Sequence, residues 1–476
     1  MRAAVLLAVF AVLGSGAWRA QAQSQDAVQP LPAAVLAQAQ TLRETALAGS
    51  GAYAILETLT TEFGPRPAGS EALHRSAAWA VKHLKAAGFS NVHTEVFPVP
   101  GWTRGEERAE VLAPFPQRLA VTALGGSVAT PAAGLEAEIA LFKTYDELLA
   151  APLGSLNGKI AVVTQPMPRT QDGSGYGATY RVRGLGPSEA ARRGAVAYLL
   201  RSLATGDRRD PHTGGLSYLE GVQPIPAGAL SVPDAEQLER MARRGRPIKL
   251  KLTLTPTVRE GTTAETVIAE IPGRERPEEI VLIGGHLDSW DLGTGAIDDG
   301  AGVAITMAAA TLIARLPQAP RRTLRLALFG AEEIGKAAAA YQQAHEAEEA
   351  RHVIASECDF GGEPVYAVQL PAHAAASPWG QGLARLLAPL ATSVSARVAT
   401  DGGADLAALT TVPKATLLQD GTRYFDLHHT ADDTLDKVSA AALDQAVAAW
   451  VVWAYLAADT QVDFRALARN APAARP

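Results

Sequence analysis

The residues with the most chemistry to offer stand in GGHLDSWDLGTGAIDDG (284–300), which holds His286, Asp288, Asp291, Asp298 and Asp299. They follow EIVLI (279–283), an apolar run that reads as a buried strand. Glu332 and Glu333 follow TLRLALFGA, Asp359 follows HVIASEC, and His428 and His429 stand in YFDLHHTADDT. Four segments thus deliver carboxylates or imidazoles to what would be one edge of one sheet. So many acids in one place repel one another unless a cation compensates them. Imidazole and carboxylate suit zinc, and a catalytic zinc keeps one position open for water. Two zinc ions about 3.5–4 Å apart can activate a water and hold a substrate oxygen, and one bridging carboxylate would hold such a pair. Each motif alone has a plainer reading. Asp298-Asp299 would cap the helix that follows, Glu332-Glu333 would be a solvated loop, and an H-x-D would hold a core histidine. Taken together, in this order and each after a strand, they point to metal-assisted hydrolysis.

The elements that must position these residues alternate from about residue 264. ETVIAEI and EEIVLIGGH read as strands, 300–316 as a helix, TLRLALFGAEE and ARHVIASECDFGG as strands running into loops, and 439–459 as a long final helix. Alternating βα units imply an α/β sandwich around a mixed, largely parallel sheet, whose ligands gather at the carboxyl ends of its strands. Residues 30–90 look helical, EALHRSAAWAVKHLKAAG (71–88) being amphipathic with a glycine stop. NVHTEVFPV (91–99) alternates as a strand does, and PGW breaks the pattern. Residues 111–255 differ in texture, with many glycines, prolines and short β-like runs, and read as an inserted β-rich domain. The expected division is 1–22, 23–110, 111–255, 256–465 and a frayed tail at 466–476.

The chain has 476 residues, with 43 basic against 49 acidic side chains and no Lys/Arg run. That gives nucleic-acid binding no support. Arg2, the apolar 3–17 stretch and Ala20-Gln21-Ala22 have the form of a signal peptide, cleaved near Gln23. No other stretch approaches about 18 consecutive apolar residues. The expectation is a secreted or periplasmic protein with no membrane attachment after cleavage. A single cysteine, Cys358, permits no intramolecular disulfide. It reads as a packed thiol rather than a metal contact. His345, Glu346 and His352 lack the H-E-x-x-H spacing, and no G-x-S-x-G is present.

The constellation resembles the M28 family of co-catalytic zinc peptidases, which has the H-x-D, D-D-G, E-E, later Asp and H-T-x-x-D-T in this order. The resemblance covers roughly residues 45–460 and includes YRVRG (180–184), DPHTG (210–214) and IPAGALSVPDAEQLERMA (225–242). It implies a three-layer α/β/α peptidase domain with a protease-associated-like insert. It also implies two Zn2+ per chain: His286 and Asp359 on one, Glu333 and His429 on the other, Asp298 bridging. Glu332 would be the general base, and Asp288 would fix the tautomer of His286 through its other nitrogen. His429 is preferred to His428 because the family histidine directly precedes Thr or Ser. Asp433 would support that loop. SECD departs from the family's usual segment before its aspartate. His212, Arg181 and Arg183 are candidate substrate contacts, against turn-stabilising or solvated roles. The implied activity is exopeptidase action on dipeptides or short peptides, carboxy- or aminopeptidase left open, and the resemblance implies a homodimer. Two other classes stay in view. A non-catalytic binding homologue would lack ligands. A single-zinc glutaminyl cyclase would release no amino acid from a dipeptide.

Overall fold

The computed structural model describes residues 30–469; the expected signal peptide lies outside them. Five strands form the sheet that carries the site, in the order Ser90–Thr103, Thr257–Ile271, Arg322–Phe329, Arg276–His286, His352–Glu357. The first two pairings are antiparallel and the last two parallel. The sheet is therefore mixed in equal parts rather than largely parallel. The three parallel strands are adjacent, and their register sets His286 beside Phe329 and Gly284 beside Glu357. Their carboxyl ends consequently share one edge. All eight residues of Arg322–Phe329 are buried, as expected for a parallel strand covered on both faces. Its two arginines reach out of that environment to Glu279 and Glu270.

Two apolar helices, Ala301–Ala314 and Ala440–Ala458, pack on the parallel strands. By length and composition Ala296–Ala314 and Ala440–Ala458 could cross a membrane, yet their apolar windows are 100% and 78% buried inside the protein. They are core helices. Helix Glu71–Ala86 starts at Ser70, whose side chain accepts from Leu73 N, and lies on the antiparallel strands.

Two further expectations about this domain fail. PGW does not end the first strand, which runs through Gly101 to Thr103 with a register shift opposite Arg259. The strand is at the sheet edge, where prolines need no ladder partner. The tail is not frayed throughout: Phe464–Arg469 is helical, and Phe464 is buried against Trp379.

Residues 107–254 form a second sheet of eight strands, together with four helices. Its first strand in the chain begins at Glu107, a little before the expected boundary. The insert is thus mixed α/β rather than simply β-rich. Its central strands, Ile160–Val163 and Ala197–Arg201, alternate between two cores, because successive side chains point to opposite faces. Ile160, Val162, Ala197 and Leu199 join the insert's own cluster. Ala161, Val163, Tyr198 and Leu200 join the main one. One face of the insert sheet is therefore continuous with the core of the first domain.

Candidate metal centre and active-site cleft

His286 is the last residue of its strand and is wholly buried. Its Nδ1 lies 3.0 Å from the Asp288 main-chain oxygen. With the proton on Nδ1, the Nε2 lone pair faces Asp298 Oδ1 at 3.1 Å and Asp359 Oδ1 at 3.5 Å. The other oxygen of Asp298 faces a different group: His429 Nε2 at 3.1 Å and His428 Nε2 at 3.5 Å. His429 Nε2 also meets Glu333 Oε2 at 3.0 Å. Two clusters able to hold a metal ion, His286–Asp298–Asp359 and Asp298–His428–His429, therefore share Asp298. Asp298 Oδ2 and Glu333 Oε1 are buried without a hydrogen-bond partner. Unpaired buried carboxylate oxygens are costly, and two cations would satisfy them. The donor set fits the ions the sequence implies.

The electrostatics agree. Burial pushes Glu333 up to about 7, helped by Asp298 and opposed by His429. Burial raises Glu332 well above the usual carboxylate range, with Asp359 and Glu333 adding to it. Burial tends to lower His429, but Glu333 and Asp298 outweigh it and hold it at about 9. A cation among these carboxylates would offset their mutual repulsion.

The supporting contacts explain how the loops hold these positions. The Asp288 carboxylate accepts from Glu332 N at 3.1 Å and Glu333 N at 3.3 Å. Its nearer oxygen is 3.6 Å from His286 Nδ1. The tautomer is thus set chiefly by the Asp288 main chain, while its carboxylate fixes the Glu332-Glu333 turn. Asp433 accepts from Ala296, Ile297 and Asp298 N at 2.8, 2.7 and 3.3 Å, bracing the bridging aspartate rather than only its own loop. Asp299 accepts from His286 N and Gly302 N, tying the strand end to the helix start. Asp291 pairs with Arg104 through both oxygens at 2.8 Å.

Sequence reasoning missed Arg66. Its buried guanidinium donates to the carbonyls of Leu287, Gly64, Thr294 and Gly295 at 2.7–3.0 Å, holding both ends of the loop between His286 and Asp298. A lone arginine in GPRPAGS carries no signal of this. It also missed Glu357, which burial pushes up to about 8 and which accepts from Asp405 N at 2.8 Å. Cys358 is buried with Sγ 3.3 Å from Gln419 Oε1. His345 and His352 lie apart from the site, around Tyr341.

The insert supplies the opposite wall. Tyr176, Tyr180 and Arg183 lie at i, i+4 and i+7 of helix Ser174–Gly184 and line the cleft together. Arg181 falls off that stripe, is exposed and does not line the cleft. Arg183 Nη1 lies 3.3 Å from His429 Nδ1, and its guanidinium sits over Tyr176 and Tyr180. His212 is buried one layer behind the cleft, its ring 6.4 Å from that of His428. Thr213 N donates to His429 O at 3.0 Å, and Thr213 O lies 3.3 Å from His429 Nδ1. These contacts hold His429 in its left-handed backbone conformation, φ 61°. A Cβ on neighbouring Gly214 would lie 2.7 Å from His429 Nδ1, so this approach requires glycine.

Fold and site define a metallopeptidase: acids and imidazoles at the carboxyl edge of a mixed sheet, open to a cleft of about 860 Å³. Residues 266–454 match Peptidase family M28. The chain is 37% identical to carboxypeptidase Q of Mus musculus over 410 residues, 86% of this chain and 85% of that one. It is 36% identical to carboxypeptidase Q of Homo sapiens over equivalent shares, 86% and 85%. A peptidase M28 precursor from Shewanella amazonensis superposes with a TM-score of 0.88 at 45% identity, covering 90% of this chain and 98% of that one. A zinc aminopeptidase from Bacillus subtilis shares the fold, with a TM-score of 0.60 at 20% identity over 87% and 96% of the two chains. The chain belongs to peptidase family M28.

Proposed function

We propose that the protein is an exported di-zinc exopeptidase, similar to carboxypeptidase Q, that hydrolyses dipeptides and short peptides. The observation that carries this reading is Asp298, whose two oxygens face separate ligand clusters. His286 and Asp359 would hold one zinc, Glu333 and His429 the other, with Asp298 spanning both. Bound there, the ions would polarise the scissile carbonyl and supply a water of lowered pKa.

The remaining roles belong to the chain. Glu332 lines the cleft on the turn fixed by Asp288. Its carboxylate takes a proton from the attacking water and returns it to the leaving amine as the C–N bond breaks. Arg183 and Thr213 keep His429 Nε2 turned toward Asp298 and Glu333. The insert, read as a protease-associated-like domain on an α/β/α sandwich, roofs the cleft with Tyr176 and Tyr180 and limits substrate length. Secretion or periplasmic export rests on the N-terminal sequence, and the homodimer on the family resemblance.

The test uses purified mature protein of known zinc content with an unblocked dipeptide, its N-acetylated form and its amide. Release from the unblocked peptide, reduced about 10²–10⁴-fold in Glu332→Gln with two zincs retained, is expected. Cleavage of the acetylated form but not the amide assigns a carboxypeptidase, and the reverse an aminopeptidase. No release from any peptide despite bound zinc refutes the proposal.

A further inference from the structure

A second cavity, of about 180 Å³, opens beside the cleft. Pro67, Ala68, Pro100, Trp102, Trp290 and Ile334 form its walls. It adjoins the cleft: Trp102, Ile334 and the proposed ligand Glu333 line both.

Its shape is fixed by packing. Trp102 and Trp290 meet edge to face with centroids 6.3 Å apart. Trp102 Nε1 donates to Ser127 O at 3.0 Å. Trp290 is pinned between the His429 ring, 5.9 Å away, and Gly125, where a Cβ would fall 1.8 Å from the indole. The same indole thus touches a proposed metal ligand and walls the cavity. Trp290 Nε1 is buried and has no hydrogen-bond partner among the described residues.

Of the charged side chains that line it, Glu333 is a proposed zinc ligand. Arg104 is closed by Asp291 and Glu107, and Arg259, which also lines the cavity, is exposed. A charged group entering would lose hydration with at most the exposed Arg259 to meet it, whereas an apolar group gains contact with the proline and tryptophan walls. A dry apolar cavity of about 150 Å³ accepts benzene, so this one has room for a leucine or phenylalanine side chain.

We infer that this cavity is a specificity pocket selecting an aliphatic or aromatic side chain on one residue of the substrate, so that apolar dipeptides are the preferred class. The inference rests on the peptidase reading above. Ala68 sits in the Pro67–Ser70 turn, closed by Ser70 N donating to Pro67 O at 2.9 Å. Ala68→Phe would fill the pocket from a half-buried position that tolerates a side chain, and Ile334→Ala would enlarge it.

The experiment measures kcat/KM of the zinc-loaded enzyme for dipeptides in which each position in turn is Ala, Leu, Phe or Asp. At one position only, Leu or Phe should exceed Ala by about 10–200-fold, with Asp lowest. Ala68→Phe should reduce that Leu-to-Ala ratio at least about tenfold, and Ile334→Ala should move the preference from Leu toward Phe. Zinc content and Tm report whether each variant is folded. Equal turnover of Ala, Leu and Asp peptides, or a ratio unmoved in both folded variants, overturns the pocket while leaving the peptidase standing. Failure to cleave any dipeptide overturns both.

Discussion

Asp288→Asn separates two roles that one aspartate could play. In the structure its carboxylate accepts from the main-chain N–H groups of Glu332 and Glu333 at 3.1 and 3.3 Å. His286 Nδ1 instead lies 3.0 Å from the Asp288 carbonyl oxygen, which the substitution keeps. Asparagine offers one oxygen where there were two, so one N–H would face an amide NH2 in a fully buried site. Hydrogen bonds to a charged acceptor contribute about 1.5–3 kcal/mol each, so weakening one and losing the other should cost about 2–4 kcal/mol at the turn. That turn presents both the proposed base and a proposed metal ligand. A displacement of about 1 Å at the base is enough to lower kcat about 10²-fold. Zinc affinity should fall about 10–100-fold, as when outer contacts of a metal ligand are removed. The assay is kcat and KM for a dipeptide at saturating zinc, beside a zinc titration of the metal-free protein. Loss of kcat that excess zinc does not restore is the expected result. Weakened zinc binding with full kcat at saturation would show that the carboxylate acts through His286, and the argument from the turn would fail.

Other perturbations test the supporting contacts and the charge balance. Arg66→Met keeps the length of the side chain but leaves four carbonyls without their donor; a loss of about 3–5 kcal/mol in denaturant unfolding is expected, and one below about 1 kcal/mol would contradict the bracing role. Glu333, Glu357 and His429 hold protons in the folded metal-free protein up to about 7, 8 and 9, above their ordinary values. A raised folded pKa gives stability that is present at low pH and lost as pH rises through the folded value. Metal-free protein should therefore lose Tm between about pH 6.5 and 8, a window chosen above the ordinary histidine value so that His212 and His428, which burial keeps neutral, drop out. Zinc-loaded protein should lose less Tm there, because zinc takes the place of the protons on Glu333 and His429 while Glu357 keeps its own. A metal-free Tm that rises across the window would refute the balance.

The strand ends that carry the proposed ligands were legible because physics writes them locally. A buried parallel strand must be apolar along its length, so EIVLI, TLRLALF and HVIAS announce themselves, and a carboxylate or imidazole just beyond each marks the edge. What failed needed tertiary knowledge. The PGW segment continues its strand only because that strand is an edge, which no local pattern states. Arg181 and Arg183 were equally plausible until the helix Ser174–Gly184 fixed their phase: Arg183 joins the stripe of Tyr176 and Tyr180, and Arg181 does not. Arg66 grips carbonyls more than 220 residues away in sequence, and main-chain acceptors leave no residue-type signature.

The same distinction bears on the insert. A cap that only restricted access would touch the first domain at the rim of the cleft, and its removal would broaden specificity. Here the contact goes deeper. Thr213 exchanges polar contacts with both the main chain and the ring of His429, across 216 residues of sequence. Arg183 packs against the same ring, and Gly214 makes room for both. The left-handed backbone at His429 is held by partners that the first domain does not provide. One face of the insert sheet also belongs to the main hydrophobic core. The insert is therefore part of what orients a proposed zinc ligand, and its segments around 183 and 213 belong to the active site as much as the strand ends do.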